Sequence, residues 1–275
     1  MDIIQAHATK NLCYVVSQRM TPQGIVVHST GANNPNLKRY VDCPAEVGVN
    51  PYGNHWNTVM PGGRQRCVHA FIGYDKNKTV RVAEILPLNI CCWGVGSGPK
   101  GSYNFNPPYI QFEICEDDLT DPIYFKEAFR VAVEYGAHLC RQYHLTPSQI
   151  VSHKEAHARG YGNNHGDPDH WMQRFGYSMD GFRRDVERLL ENPSDTAPAE
   201  KLQTDAIHAG DLVSIASDAT YYNGKPIPLW VRQQNWYVRG EPKGDRVVID
   251  RNEKNTNAIC SPVNARFLTV VRKAG

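Results

Sequence analysis

The first twenty residues, MDIIQAHATKNLCYVVSQRM, lack a basic stretch followed by an unbroken apolar run. Nothing there resembles a secretory signal or a transmembrane helix. The expectation is a chain made in the cytoplasm, without membrane insertion, that acts elsewhere only after release. No CxxC pair occurs among the eight cysteines, whose spacings are irregular. That argues against a Cys-rich zinc knuckle and against a small secreted disulfide framework, so the thiols are expected to be reduced and packed. No run of five or more basic residues is present, and 30 Lys+Arg against 28 Asp+Glu leave a formal charge of +2. A nucleic-acid arm and a basic membrane patch are both excluded as readings of charge. Internal repeats and low-complexity tracts are absent as well.

What is present is an ordinary globular composition. With 275 residues, 41% of them hydrophobic and 21% charged, the chain can bury a core as one large domain or a large and a small one. Two helices read clearly. The first begins at Thr120-Asp121-Pro122, a capping side chain ahead of a proline that needs no backbone N–H, and runs to about Tyr143. Its apolar residues Phe125, Phe129, Ala132, Val133, Gly136, Ala137 and Cys140 recur at three and four positions and form one stripe for packing on a sheet. Ser178 caps a second helix with Phe182, Val186 and Leu189 on its inner face. The runs at 24–28, 67–72, 80–85 and 109–114 read as strands from their β-branched and aromatic content. The fold class expected is α/β, a mixed central sheet flanked by helices, over residues 1–190. Residues 191–205, within which ENPSDTAPAE has no apolar period, read as an exposed linker. Residues 206–275 carry short apolar runs separated by Gly, Pro and Asn, the pattern of a small all-β barrel.

The residues that could carry chemistry fall in three places. His28 ends an apolar strand and is followed by Ser-Thr-Gly, so its imidazole can emerge at a sheet edge. Taken alone it fits a metal ligand and equally a hydrogen bond to a loop carbonyl. Between 153 and 170, four histidines and three acids fall within eighteen residues. Imidazole with carboxylate suits zinc with one position left open for water. His153 and His157 are spaced for one helix face, but the position directly after His153 is Lys154 and not the Glu of the HExxH pattern, so a helical two-histidine site is disfavoured. Asp167 precedes a proline, which biases it away from helix and lets it offer a carboxylate from a loop. In Tyr109-Ile110-Gln111-Phe112-Glu113-Ile114, alternation puts Gln111 and Glu113 on one face and Phe112 and Ile114 on the other. Glu113 fits either an outward-facing charge or a general base beside a metal.

Together, Ile25-Val26-Val27-His28-Ser29-Thr30, Phe112-Glu113-Ile114, Ser152-His153 and His165-Gly166-Asp167-Pro168 resemble, in order and context, the N-acetylmuramoyl-L-alanine amidases. This is the zinc amidase family of phage endolysins, bacterial autolysins and peptidoglycan recognition proteins, and the resemblance spans roughly residues 20 to 190. It implies His28, His153 and Asp167 as ligands of Zn2+, Glu113 as the acid that activates water, and His165 facing the substrate carbonyl where many members have a lysine or another polar group. Cys92-Trp93-Gly94 stands where many relatives have Trp-His. The C-terminal segment looks like an SH3-like wall-binding module, with Tyr221, Tyr222, Trp230, Trp236 and Tyr237 as possible ligand-facing rings.

The implied reaction is hydrolysis of the amide between N-acetylmuramic acid and L-alanine. The implied partners are bacterial peptidoglycan and, through the C-terminal domain, a cell-wall polymer, reached after release from the cell that makes the enzyme. No organic cofactor is required. The alternative is a non-catalytic peptidoglycan-binding protein on the same fold, against which all three ligand positions are filled. A peptidase cutting within the stem peptide would be expected to show HxH or HxxxxxxD signatures, which are not evident.

Overall fold

The computed structural model describes residues 1–192, 207–215, 219–232, 234–254 and 256–274. The chain divides into two compact units, Met1–Pro198 and Ala199–Gly275. Of the expected linker, residues 193–205 lie outside the described residues.

In the first unit the strands are β1 (Ile3–Gln5), β2 (Ile25–Ser29), β3 (Ala70–Tyr74), β4 (Val80–Glu84), β5 (Ile110–Ile114) and β6 (Ile150–Ser152). The helices are α1 (Leu12–Val16), α2 (Pro44–Val47), α3 (Pro122–Tyr143), α4 (His153–Arg159), α5 (Asp169–Arg174) and α6 (Met179–Glu191). The strands form one six-stranded mixed sheet in the order β1-β4-β3-β5-β2-β6. β2 runs parallel to both β5 and β6, β5 is also parallel to β3, and β3 and β4 are antiparallel. The mixed sheet flanked by helices is therefore as the sequence implied. The strand read at 67–72 begins later, at Ala70.

Both long helices start where their caps predict. Asp121 accepts from the backbone N–H groups of Ile123 and Tyr124, with Pro122 as the first helical residue, and Ser178 accepts from Gly181. One face of the sheet, with Ile25, Val27, Ile110, Phe112 and Ile114, packs on the apolar stripe of α3 and on Phe182, Val186 and Leu189 of α6. Fully burying side chains of this size contributes about 1.5–3 kcal/mol each. The alternate residues Val26, His28, Gln111 and Glu113 belong to the opposite face. There Val26 packs with Val95, Tyr103, Tyr109 and Val151 in loop-covered structure. In the β2–β5 register Val26 pairs with Gln111 and His28 with Glu113, so the polar residues of both strands come side by side. All seven cysteines whose side chains are described are free, six buried and Cys43 half-buried.

The second unit contains β7 (Leu212–Ile215), α7 (Leu229–Arg232), β8 (Trp236–Val238), β9 (Arg246–Asp250), β10 (Ala258–Asn264) and β11 (Leu268–Arg272). Its strands make a five-stranded antiparallel sheet in the order β10-β9-β8-β7-β11, over a core that includes Val213, Trp236, Val238, Val247, Ile249 and Val263. Trp236 is not ligand-facing. Alternation along β8 turns it inward with Val238, where it is buried and its Nε1–H donates to the Val231 carbonyl at 2.8 Å. Tyr222 and Trp230 are exposed, and Tyr221 and Tyr237 half-buried.

His69 yields a pH prediction. Its Nδ1 accepts from the Gln111 backbone N–H and its Nε2–H donates to the Ile90 carbonyl, 2.9 Å each, which requires the neutral ring. Burial depresses its pKa to about 4. A pKa lowered from the unfolded value of about 6.5 contributes stability that is present above that value and lost as pH falls toward 4, roughly 3 kcal/mol over the whole window. NMR of the ring should find it still neutral at pH 5, by which point its share of stability has fallen by about 2 kcal/mol from pH 7. A midpoint near 6.5 for this ring would sink the argument.

Candidate metal centre

Three neighbouring parallel segments deliver the site. His28 is the penultimate residue of β2, Glu113 sits opposite it in β5, and His153 follows β6 directly as the first residue of α4. Carboxyl ends of strands in open α/β sheets are the usual place for a ligand cleft. His153 is fixed there by a capping box: the Ser152 hydroxyl accepts from the Glu155 N–H, and the Glu155 carboxylate accepts from the Ser152 N–H. Arg183 of α6 holds that carboxylate with two hydrogen bonds, at 2.8 and 2.9 Å. Asp167 arrives from the loop between α4 and α5 and is buried.

The imidazole Nδ1 atoms of His28 and His153 are 3.0 Å apart. Asp167 Oδ2 lies 3.2 Å from the first and its Oδ1 lies 3.4 Å from the second. One ligand atom from each residue can be chosen so that all lie within 4.8 Å of one another, and this is the one such trio among the described residues. Tetrahedral zinc with bonds of about 2.0–2.1 Å separates its ligand atoms by roughly 3.3 Å, which these spacings match. The hydrogen bonding tells the same story. Each Nε2 faces a side-chain amide oxygen at 3.0 Å, that of His28 facing Gln111 and that of His153 facing Asn163. If both Nε2 atoms carry the proton, the two Nδ1 lone pairs and the carboxylate converge with only the Ser29 backbone N–H, 3.4 Å from Asp167 Oδ2, to offset them, an arrangement a cation resolves.

Charge supports the same reading. Burial depresses the His28 pKa, and neighbouring His153 adds to this, which favours the neutral form that binds metal. Burial on its own would raise the Asp167 carboxyl, but the imidazoles of His153 and His28 outweigh it whenever they hold a proton toward it, and the positive charge they then supply, which a bound cation would replace, holds the group well below the usual range. Glu113 goes the other way. Burial raises it far above the carboxylate range, Asp167 and Glu116 add to this, and Arg66 opposes it. Its Oε2 is buried without a hydrogen-bond partner.

The three ligand atoms open on a cleft of about 760 Å³ whose walls include Arg39, Trp56, Arg66, Trp93 and Glu113. His165 is at its mouth with a side chain 56% exposed, its ring stacked on that of His153 at 4.6 Å and its Nδ1 3.6 Å from Asp167 Oδ1. Trp93 lines the cleft although the neighbouring position is glycine. His157 points away. It is exposed on α4 with Nδ1 3.1 Å from the Gly162 carbonyl, so the i, i+4 pair with His153 forms no site even though the segment is helical. His170 contacts Glu116 at 3.2 Å, and the Ser29 hydroxyl also donates to Glu116. Sequence reasoning missed Asn104, Asn163 and Glu116, and it placed Gln111 on the right face without giving it a role.

A family model described as N-acetylmuramoyl-L-alanine amidase matches residues 18–170, more than half of the chain. The chain belongs to the N-acetylmuramoyl-L-alanine amidase family. Among solved structures the amidase is similar to the Staphylococcus aureus hydrolase AmiA in complex with its ligand, at 23% identity over 69% of this chain and 83% of that one, TM-score 0.49. It is also similar to PlyL, at 18% identity over 68% and 97% of the two chains, TM-score 0.48, and to the PlyG catalytic domain, at 18% identity over 71% and 99%, TM-score 0.48. No curated protein matches the amidase.

Asp167→Ala removes a charged ligand atom and leaves the two imidazoles in place. Zinc affinity, measured by competition with a chromophoric chelator, should fall by more than the roughly 10–100-fold typical of losing an outer-sphere partner. Affinity equal to that of the parent would move the third ligand elsewhere in the 153–170 segment.

Proposed function

We propose that this amidase hydrolyses the amide between N-acetylmuramic acid and L-alanine in a zinc-dependent reaction, with His28, His153 and Asp167 holding the metal and Glu113 moving the proton. The observation that carries the reading is the convergence of two Nδ1 lone pairs and a carboxylate, 3.0–3.4 Å apart, beside a buried acid with a free oxygen. Zinc held there supplies Lewis acidity to the scissile carbonyl and to water.

The chain's own groups do the rest. Glu113, beside His28 in the sheet, takes a proton from the attacking water and returns it to the leaving amine of L-alanine. Burial, with Asp167 and Glu116 adding to it, raises the pKa of this carboxyl, which strengthens it as a base toward the water's proton. His165 would donate to the carbonyl oxygen as negative charge grows on it, a role supported by its position at the cleft mouth, stacked on His153. The cleft walls offer aromatic rings at Trp56 and Trp93 for the apolar faces of a muropeptide and guanidinium groups at Arg39 and Arg66 for its acidic groups. Because the substrate lies outside the cytoplasmic membrane, the enzyme acts after reaching the wall. Residues 206–275 would attach it to a wall polymer as an SH3-like module, with exposed Tyr222 and Trp230 available for contact.

Mass analysis of digested peptidoglycan should find stem peptides with free L-alanine amino ends, which appear only when the lactyl amide is cut. Glu113→Gln should keep zinc and the fold while losing roughly 10²–10⁴-fold in kcat. Near-normal turnover in that variant would show Glu113 to be a bystander and send the search for the base to His165 or Asp169. His165→Ala should keep zinc and lose about 2–4 kcal/mol of transition-state stabilisation, read from kcat/KM.

A further inference from the structure

The two histidines of the metal centre are each backed by a side-chain amide, and both amides lean on one short loop. Asn104 Oδ1 accepts from the backbone N–H groups of Gly94 and Val95, at 3.0 and 3.1 Å, which identifies that atom as oxygen. Gln111 approaches the same oxygen at 2.8 Å and must do so with its NH₂ group. Its Oε1 is thereby turned to His28, and the hydrogen bond at 3.0 Å forces the proton onto His28 Nε2. On the other side, the Asn163 backbone N–H donates to the Val95 carbonyl at 3.0 Å, and its Oδ1 takes the Nε2 proton of His153.

The loop also leaves these two oxygens their space. A Cβ at Gly94 would overlap Gln111 Oε1, and a Cβ at Gly96 would overlap Asn163 Oδ1. Gly96 has φ +66°, where a side chain is strained in any case. Two glycines, two residues apart, thus face the two amide oxygens that face the two histidines.

We infer that the Gly94-Val95-Gly96 loop is a positioning template for the metal centre. It seats Gln111 and Asn163 so that each accepts an Nε2–H and presents the opposite Nδ1 lone pair to zinc, with Asn104 fixing the sense of the Gln111 amide. The inference rests on the zinc reading above. Gln111, Asn104 and Asn163 are positioning residues: they touch the ligands or each other, and not the reacting atoms.

The test measures zinc affinity by chelator competition in the full chain, independently of turnover. Asn163 is a surface residue, so its variants should fold, as circular dichroism would show. Asn163→Leu should bind zinc roughly 10–100-fold more weakly, while Asn163→Asp, which keeps an acceptor for the Nε2 proton, should bind within about threefold of the parent. Gly94→Ala touches no ligand and should weaken zinc by about tenfold or more, by displacing Gln111 Oε1. Nitrogen-15 NMR of the metal-free parent should show His28 and His153 as Nε2–H tautomers. A parent that binds no zinc overturns the metal reading itself. A parent that binds zinc, with Asn163→Leu and Gly94→Ala both within about threefold of it, overturns the template alone. Should Gly94→Ala fail to fold, the Leu and Asp pair at position 163 decides.

Discussion

Two imidazole nitrogens and a carboxylate crowded at the carboxyl ends of neighbouring strands, with a single backbone N–H aimed at them, set the terms for the rest of the first unit. Leaving a buried acceptor unmatched costs about 1–3 kcal/mol, and here two imidazole lone pairs and a carboxylate are held within 3.0–3.4 Å of one another. Such a cluster persists only if its supports are stronger than its mutual repulsion, or if a cation sits among them. The supports are visible. Parallel pairing of β2 with β5 and β6 fixes where His28 and His153 start, the Ser152–Glu155 capping box fixes the first turn of α4, and Arg183 ties that box to a helix of the main core. Packing between α3 and α6 therefore contributes to the placement of His153, a proposed metal ligand.

The same period-two alternation makes both the core and the chemistry. Ile25 and Val27 go down to α3, while Val26 and His28 go up. Phe112 and Ile114 go down, while Gln111 and Glu113 go up. A one-residue slip of β5 would bury the carboxylate in the apolar layer and expose Phe112, so the hydrophobic face specifies the register that brings Glu113 beside His28. The loops on the upper face could not close over it with apolar residues alone. They carry Asn104, Asn163 and the backbone groups of residues 94–96, because buried polar ligands need polar partners behind them.

These two kinds of support differ in how plainly the sequence states them. Helix starts at Asp121 and Ser178 were legible because a cap is a local rule acting over three residues, and strand faces were legible because alternation is local too. His28, His153, Asp167 and Glu113 stood out because strand ends, a dense cluster of histidines and acids, and a charge in an apolar strand are each unusual in composition. The amides behind the histidines were not legible. Gln111 is 83 residues from His28, and asparagines are common in any loop, so nothing local distinguishes Asn104 or Asn163 from a turn residue. Gln111 did carry a signal: a buried amide in the same apolar strand as Glu113 calls for an explanation just as the acid does. The i, i+4 spacing of His153 and His157 misleads for a geometric reason. At the first position of α4, His153 projects back toward the strand it follows, while His157 lies a turn further on and reaches the Gly162 carbonyl.

The charge balance around Glu113 links the base to the metal. Its carboxyl is raised by burial first, then by Asp167 and Glu116, against the single opposing influence of Arg66. These surroundings favour the protonated form more than water would, and only the ionised form can take a proton from water. A cation bound by His28, His153 and Asp167 cancels the field of the Asp167 carboxylate and adds positive charge beside Glu113, which shifts it toward the ionised form. Two carboxylates so near each other would be a liability in a site meant to stay empty, since each raises the cost of ionising the other. In the proposed reaction they become useful, since Asp167 would be committed to the metal and Glu113 left, by that commitment, to act as the base.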